Sequence, residues 1–171
     1  MNISFYIVDV FAEKKYAGNQ LAVFLEADAL SAEEMQKIAR EINFAESTFI
    51  TKLEPENNAA EIRIFTPEYE MKFAGHPIIG TSWVLMNKIF ENQPEKITLS
   101  VPIGEIPIHQ ADDLVWLQAA QPQFFDIFSA EGILSFSNLS SADFDAEYPV
   151  QEVSTGSAFV IVPLQNKKAL E

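Results

Sequence analysis

The sequence predicts an α+β domain organised around one buried helix, on three observations. Between Phe73 and Phe90, the side chains of Ile78, Ile79, Trp83, Val84, Leu85, Met86, Ile89 and Phe90 point in nearly every direction around a helical wheel, and the first charge is Lys88. A helix that is apolar all round belongs inside a core. On both sides of it lie short segments of alternating apolar and polar residues, the pattern of strands. A second helix, opened by Ser31-Ala32-Glu33-Glu34, has a single apolar stripe and so packs on the outside.

Composition narrows the classes. A chain of 171 residues reads as one domain with room for a full core. With 48% hydrophobic residues and 14 Phe it is globular rather than disordered. A net charge of −14 and a pI near 4.4 argue against nucleic acid or an anionic membrane surface as partner. The central helix, at roughly 14 residues, falls short of the ~20 that cross a bilayer. With no cysteine, disulfides, thiolate metal sites and thiol nucleophiles are excluded. The first residues show neither a signal nor a transit pattern, which points to the cytoplasm.

In order, Ile3 to Val10 reads as a strand with both faces buried, since Ile3, Phe5 and Ile7 alternate with Tyr6, Val8 and Val10. Tyr16-Ala17-Gly18-Asn19-Gln20 is a turn, and Leu21 to Leu25 resumes a strand. Ser31 caps the next helix with Glu34 three residues on, Leu30 staples to Met35, and Met35, Ile38, Ala39 and Ile42 form its stripe up to Asn43. Glu46 stands where the chain enters a β-rich segment. Glu56-Asn57-Asn58 turns, Glu61 to Phe65 is a strand, and Thr66-Pro67 ends it. Pro77 suits the first position of the central helix, with His76 as its cap. Ile97 to Ile103 and Ile106 to His109 read as a hairpin about Gly104, and Leu114 to Ala119 is a strand after an Asp112-Asp113 turn. Ser129 to Leu139 is ambiguous, a short helix interrupted by Gly132, and Ala158 to Val162 reads as a last buried strand.

The residues that can carry chemistry are few. A helix N-terminus at Gly75-His76 leaves backbone N–H groups unpaired and favours an anion; Gly75 admits close approach, Gly80 thins the second turn, and Thr81 and Ser82 add hydroxyls. The same Gly-His-Pro also reads as a plain helix cap. Glu46, flanked by Phe44, Ala45 and Phe49, reads either as a surface residue or as a desolvated carboxylate able to exchange protons near neutrality. Arg63 pairs with a neighbouring Glu or meets a substrate carboxylate, and the first is favoured. Ser47, Ser82 and Ser157 lack a nucleophile-elbow setting, and His76 and His109 lack metal-ligand spacing.

Three segments together resemble the PhzF-like (phenazine biosynthesis-like) family, which has the diaminopimelate epimerase fold. They are Gly18 to Phe24, Asn43 to Phe49, and Arg63-Ile64-Phe65-Thr66-Pro67 running on to Phe73-Ala74-Gly75-His76-Pro77 and Gly80-Thr81. Ser154-Thr155-Gly156 to Val162-Pro163-Leu164 resembles the close of the family's first domain, so residues 1–171 are expected to be that N-terminal domain with the second absent. The resemblance implies a curved antiparallel sheet, barrel-like, wrapped around the central helix. It implies that Glu46 moves a proton between carbons of a small carboxylic acid substrate as general acid and base, without metal or organic cofactor, and that His76 lines the same cleft. It further implies Asn19, Ser47 and Gly75 as substrate-binding positions. One carboxylate serving two carbons fits an isomerase better than a two-thiol racemase.

Family members build the opposite wall of the cleft from a second domain. An active enzyme is therefore expected to need a homodimer or a complementing second domain. The alternative is a non-catalytic relative that acts as a small-acid binding or assembly domain.

Overall fold

In the computed structural model, which describes residues 2–170, the chain leaves β1 (Phe5–Val10) by a turn and returns antiparallel as β2 (Asn19–Phe24), with Val10 opposite Asn19. Gly18 is fixed by crowding: an added Cβ would lie 2.5 Å from the Val10 carbonyl oxygen. One face of β1 stays open, with Phe5 46% and Ile7 59% exposed, against the expectation of two buried faces. The strand lies at the end of its sheet, paired with β2.

Helix α1 (Ala32–Ile42) begins with the expected capping box, in which the Glu34 N–H donates to Ser31 Oγ and the Ser31 N–H donates to Glu34 Oε2 at 2.9 Å. It ends at Asn43, whose N–H still donates to the Ala39 carbonyl while its left-handed φ of 57° turns the chain out of the helix. Its apolar stripe covers Ala22, Phe24, Phe49 and Phe65 on the outer face of the sheet.

β3 (Glu46–Glu54) runs parallel to β2, and β4 (Ala59–Phe65) returns antiparallel to it. The two-residue β5 (Glu70–Met71) pairs with β4 and leads into α2 (Gly75–Val84). β6 (Lys96–Val101) then joins β4 in parallel, followed by the antiparallel β7 (Gly104–Ala111) and β8 (Leu114–Leu117). Asp112 and Asp113, with φ of 50° and 63°, make the tight turn between the last two.

The strand order is β1-β2-β3-β4-β6-β7-β8. Six intervals at ~4.8 Å would set the ends of a flat sheet ~29 Å apart, whereas a helix with its side chains is about 10–12 Å wide. Yet α2 packs against both end strands, β1 and β8, as well as β2, β3 and β6. The sheet therefore curls around the helix. It is mixed rather than antiparallel throughout: the crossovers through α1 and α2 bring β3 and β6 back parallel to their neighbours.

Ile78, Val84, Leu85 and Met86 are at most 1% exposed, as a helix apolar all round requires. Trp83 is the exception at 38%, with Lys88 Nζ 5.6 Å from its ring. The helix starts two residues earlier than expected, with Ala74 as cap and Gly75, His76 and Pro77 as its first three residues. Proline is harmless there, since the first intrahelical donor is the Ile78 N–H, to the Ala74 carbonyl. A π-turn at Leu85–Ile89 finishes it, where the Asn87 side-chain amide donates to the Trp83 carbonyl. Gly80 sets how close the helix sits: a Cβ there would lie 2.7 Å from Leu21 Cδ2 and Val10 Cγ2. Gly80→Val is expected to cost about 1–3 kcal/mol in urea unfolding; a variant as stable as the parent would show slack in that contact.

These elements form one compact unit, Met1–Ala119; a second is Ala120–Glu171, where the sequence reading draws one domain over 1–171. The second unit holds an antiparallel sheet in the order β11-β10-β9, from β9 (Gln123–Phe128), β10 (Val150–Ser154) and β11 (Ala158–Ile161), and the short helix α3 (Ala130–Leu134) capped by Ser129. Phe144 and Val150 are buried, but Phe124, Ile127, Phe159 and Ile161 are 49–66% exposed, so the strand expected to be buried at Ala158 is open. Among the described residues, no helix is long and apolar enough to cross a membrane.

Candidate active site

Three element starts converge at one end of the curled sheet. Asn19 opens β2, Glu46 opens β3, and His76 is the second residue of α2. Parallel pairing sets Leu21 opposite Glu46, which brings the two strand starts together. Side chains alternate along β3, so Glu46, Thr48 and Ile50 share the face towards α2. Thr48 marks that face, its hydroxyl 2.8 Å from that of Thr81 on the helix.

The result is a small polar cluster. His76 Nδ1 lies 3.4 Å from Glu46 Oε2 and 3.4 Å from Asn19 Nδ2, and the His76 and Glu46 side chains are 9% and 17% exposed. Glu46 Oε2 and His76 Nε2 are buried with no hydrogen-bond partner. Orphaned polar atoms in a folded interior are costly and mark places kept for something other than stability.

Burial pushes the His76 imidazole below its ordinary range; the Glu46 charge and the Gln20 carbonyl act the other way but do not prevail. The ring is thus neutral at pH 7. A lowered histidine value means that the unfolded chain takes up its proton first on acidification. Stability is therefore expected to fall as pH drops through 6.5, the ordinary histidine value, and to level off below the depressed folded value. Urea unfolding of His76→Asn should lack that part of the slope, and an unchanged slope would rule His76 out as its source.

The other residues singled out from sequence divide. Gly75 is the first residue of α2, and a Cβ added there would meet nothing within 4 Å, so it leaves the helix mouth open. Ser47 is buried with its hydroxyl unpartnered, but alternation puts it on the opposite face of β3, with Phe49, away from Glu46. Thr81 and Ser82 do not reach the mouth: both are fully buried, Thr81 bound to Thr48 and Ser82 donating to the Ile78 carbonyl at 2.7 Å. Arg63 holds Glu70 through two bonds of 2.6 and 2.7 Å, as favoured. The Gln20 carbonyl beside His76 was not legible beforehand, because a backbone group carries no residue signature. Among the described residues, no three His, Asp or Glu side chains converge as a metal would require.

Residues 8–171 match the family described as phenazine biosynthesis-like protein. The trans-2,3-dihydro-3-hydroxyanthranilate isomerase of Pseudomonas aeruginosa is 34% identical over 171 residues, which cover 97% of this chain and 59% of the relative. The crystal structure of a PhzF-family phenazine biosynthesis protein from Bacillus anthracis superposes with a TM-score of 0.82 at 31% identity, over 98% of this chain and 57% of that one. The chain thus spans about three fifths of the length of these proteins. A probable proline racemase from Agrobacterium radiobacter, at 12% identity and a TM-score of 0.58 over 94% of this chain and 52% of its own, shares the fold alone. With the match running from β1 to the last residue and the curled sheet superposing on a solved relative, the chain belongs to the phenazine biosynthesis-like (PhzF) family.

Proposed function

We propose that this chain carries the proton-transfer half of an isomerase site, with Glu46 as general acid and base on a small carboxylic acid. The observation that carries the reading is the Glu46–His76 cluster, two largely shielded groups 3.4 Å apart that each leave a buried polar atom unpaired. Glu46 removes a proton from a carbon conjugated with the substrate carboxylate. The C–H electron pair moves into the adjoining π system, the double bond shifts, and the carbon at its far end takes the proton back from Glu46. The substrate carboxylate sits at the mouth of α2, where the N–H groups of Gly75 and His76 precede the first intrahelical bond and the helix dipole favours negative charge. Neutral His76 offers Glu46 no cationic partner, and Asn19 lies beside the ring at Nδ1.

The name of the Pseudomonas aeruginosa relative, an isomerase of a cyclic amino-substituted acid, supports this class of substrate. A second wall for the site is expected from a complementing domain or a second copy of the chain. The exposed apolar strands of the second unit support a covering partner for that unit. A second reading, binding of a small acid without turnover, rests on the same cluster, whose unpaired polar atoms and helix mouth can hold an acid without moving a proton.

The test is deuterium uptake from heavy water, followed by NMR, with a panel of small cyclic and amino-substituted carboxylic acids. Exchange at one carbon of one acid supports the isomerase reading. An acid that binds without exchanging supports the second reading and overturns the first for this chain.

A further inference from the structure

The first unit has a second feature fit for a ligand, remote in sequence and composition from the Glu46 cluster. The registers of β6, β7 and β8 set Lys96 opposite His109 and His109 opposite Trp116. Directly opposed residues on neighbouring strands point to the same side of a sheet, so an ammonium, an imidazole and an indole stand in one row. The two rings lie within 11° of parallel with centroids 6.4 Å apart, and Trp116 is 52% exposed. The row lines a cavity of about 810 Å³, whose other walls include Asn58, Thr98 and Gln118.

Charge singles the groove out. The chain has 25 Asp and Glu against 11 Lys and Arg, yet among the described residues no lining side chain is acidic, and Lys96 is the one lysine or arginine there. Among the described residues the ion pairs of lysine and arginine join Lys37 to Glu33, Lys52 to Glu54 and Arg63 to Glu70, and no carboxylate lies within ion-pair distance of Lys96. Asn58 accepts from the Asn92 amide through its Oδ1, which turns its own NH₂ into the available donor.

We propose that this groove binds a flat aromatic ring bearing a single carboxylate. The ring lies against Trp116 and His109, where stacking favours a planar partner. The carboxylate pairs with Lys96 as a charge-assisted hydrogen bond. One cation matches one negative charge, which sets the ligand apart from polyanions such as nucleic acid, whose binding needs several phosphate contacts. The groove shares no residue with the cluster of Asn19, Glu46 and His76, so it stands or falls independently of the proposed activity.

The probe is 1-naphthoate, titrated into the full chain while the two tryptophan indole N–H signals are followed by NMR, with Trp83→Phe assigning them. The Trp116 signal is expected to shift to saturation. Cyclohexanecarboxylate, charged but not flat, and naphthalene-1-methanol, flat but uncharged, should each bind about tenfold more weakly or worse, as should naphthoate to Lys96→Met and to His109→Ala. Lys96 and His109 are exposed, so these variants keep the fold. Binding should be unchanged in Glu46→Gln. A Trp116 signal that never saturates, full affinity in Lys96→Met, or loss of binding in Glu46→Gln would each overturn the assignment.

Discussion

Glu46→Gln is expected to leave a folded protein whose substrate-proton exchange is lower by about 10²–10⁴-fold. The change keeps the size of the side chain and a hydrogen-bonding tip near His76 Nδ1, 3.4 Å from the present carboxylate oxygen. What it removes is basicity, the one property that the proposed step uses. Since glutamine has the same shape and Glu46 Oε2 has no hydrogen-bond partner to lose, the urea midpoint should move little. Exchange rate and midpoint measured on the same preparation separate chemistry from folding. Turnover that survives the substitution would remove Glu46 from the mechanism and leave the cluster as a binding feature.

Phe49→Ala is expected to carry the largest loss of stability, about 3–5 kcal/mol. Phe49 is fully buried beneath α1. Its ring stacks on Phe24 with centroids 4.8 Å apart and meets Phe65 edge-on at 5.5 Å, while the Arg63 guanidinium lies 5.2 Å from the Phe65 ring. Truncation therefore opens a cavity where three strands and a helix meet, and stiff neighbours cannot close it. The midpoint of urea unfolding reads the effect, and Phe49→Leu should recover part of it. A loss below about 1 kcal/mol would mean that α1 settles onto the gap, so that the outer layer of the fold is softer than its packing implies.

The sequence announces the parts of this molecule whose cause is local. The Ser31-Glu34 box, the Asn43 stop and the apolar wheel of residues 78–90 each depend on neighbours within a turn or two, and each is found in place. The convergence of Glu46 and His76 was reached through resemblance, since 30 positions of chain separate them and no periodicity links them. Facing directions were harder. The motif groups Ser47 with Glu46, but one step along a strand reverses the side chain. β1 and β11 read as buried because Phe5, Ile7 and Phe159 are apolar, yet polarity alone does not say what covers a strand, and all three are exposed. β9 and β10 were missed, with Gln123-Phe124-Phe125-Asp126 and Gln151-Glu152 breaking the alternation that marks strands elsewhere.

The parallel pairing of β2 with β3 also bears on how the site comes into being during folding. An antiparallel pair can zip from a short turn, but a parallel one must close a long loop before any contact rewards it. Asn19 and His76 stand 57 positions apart, and the α1 crossover that sets β3 beside β2 lies between them. No partly folded chain can hold the cluster, since each of its members arrives on a different element. Any catalysis by this protein is thus a report that β2, β3 and the start of α2 have come together.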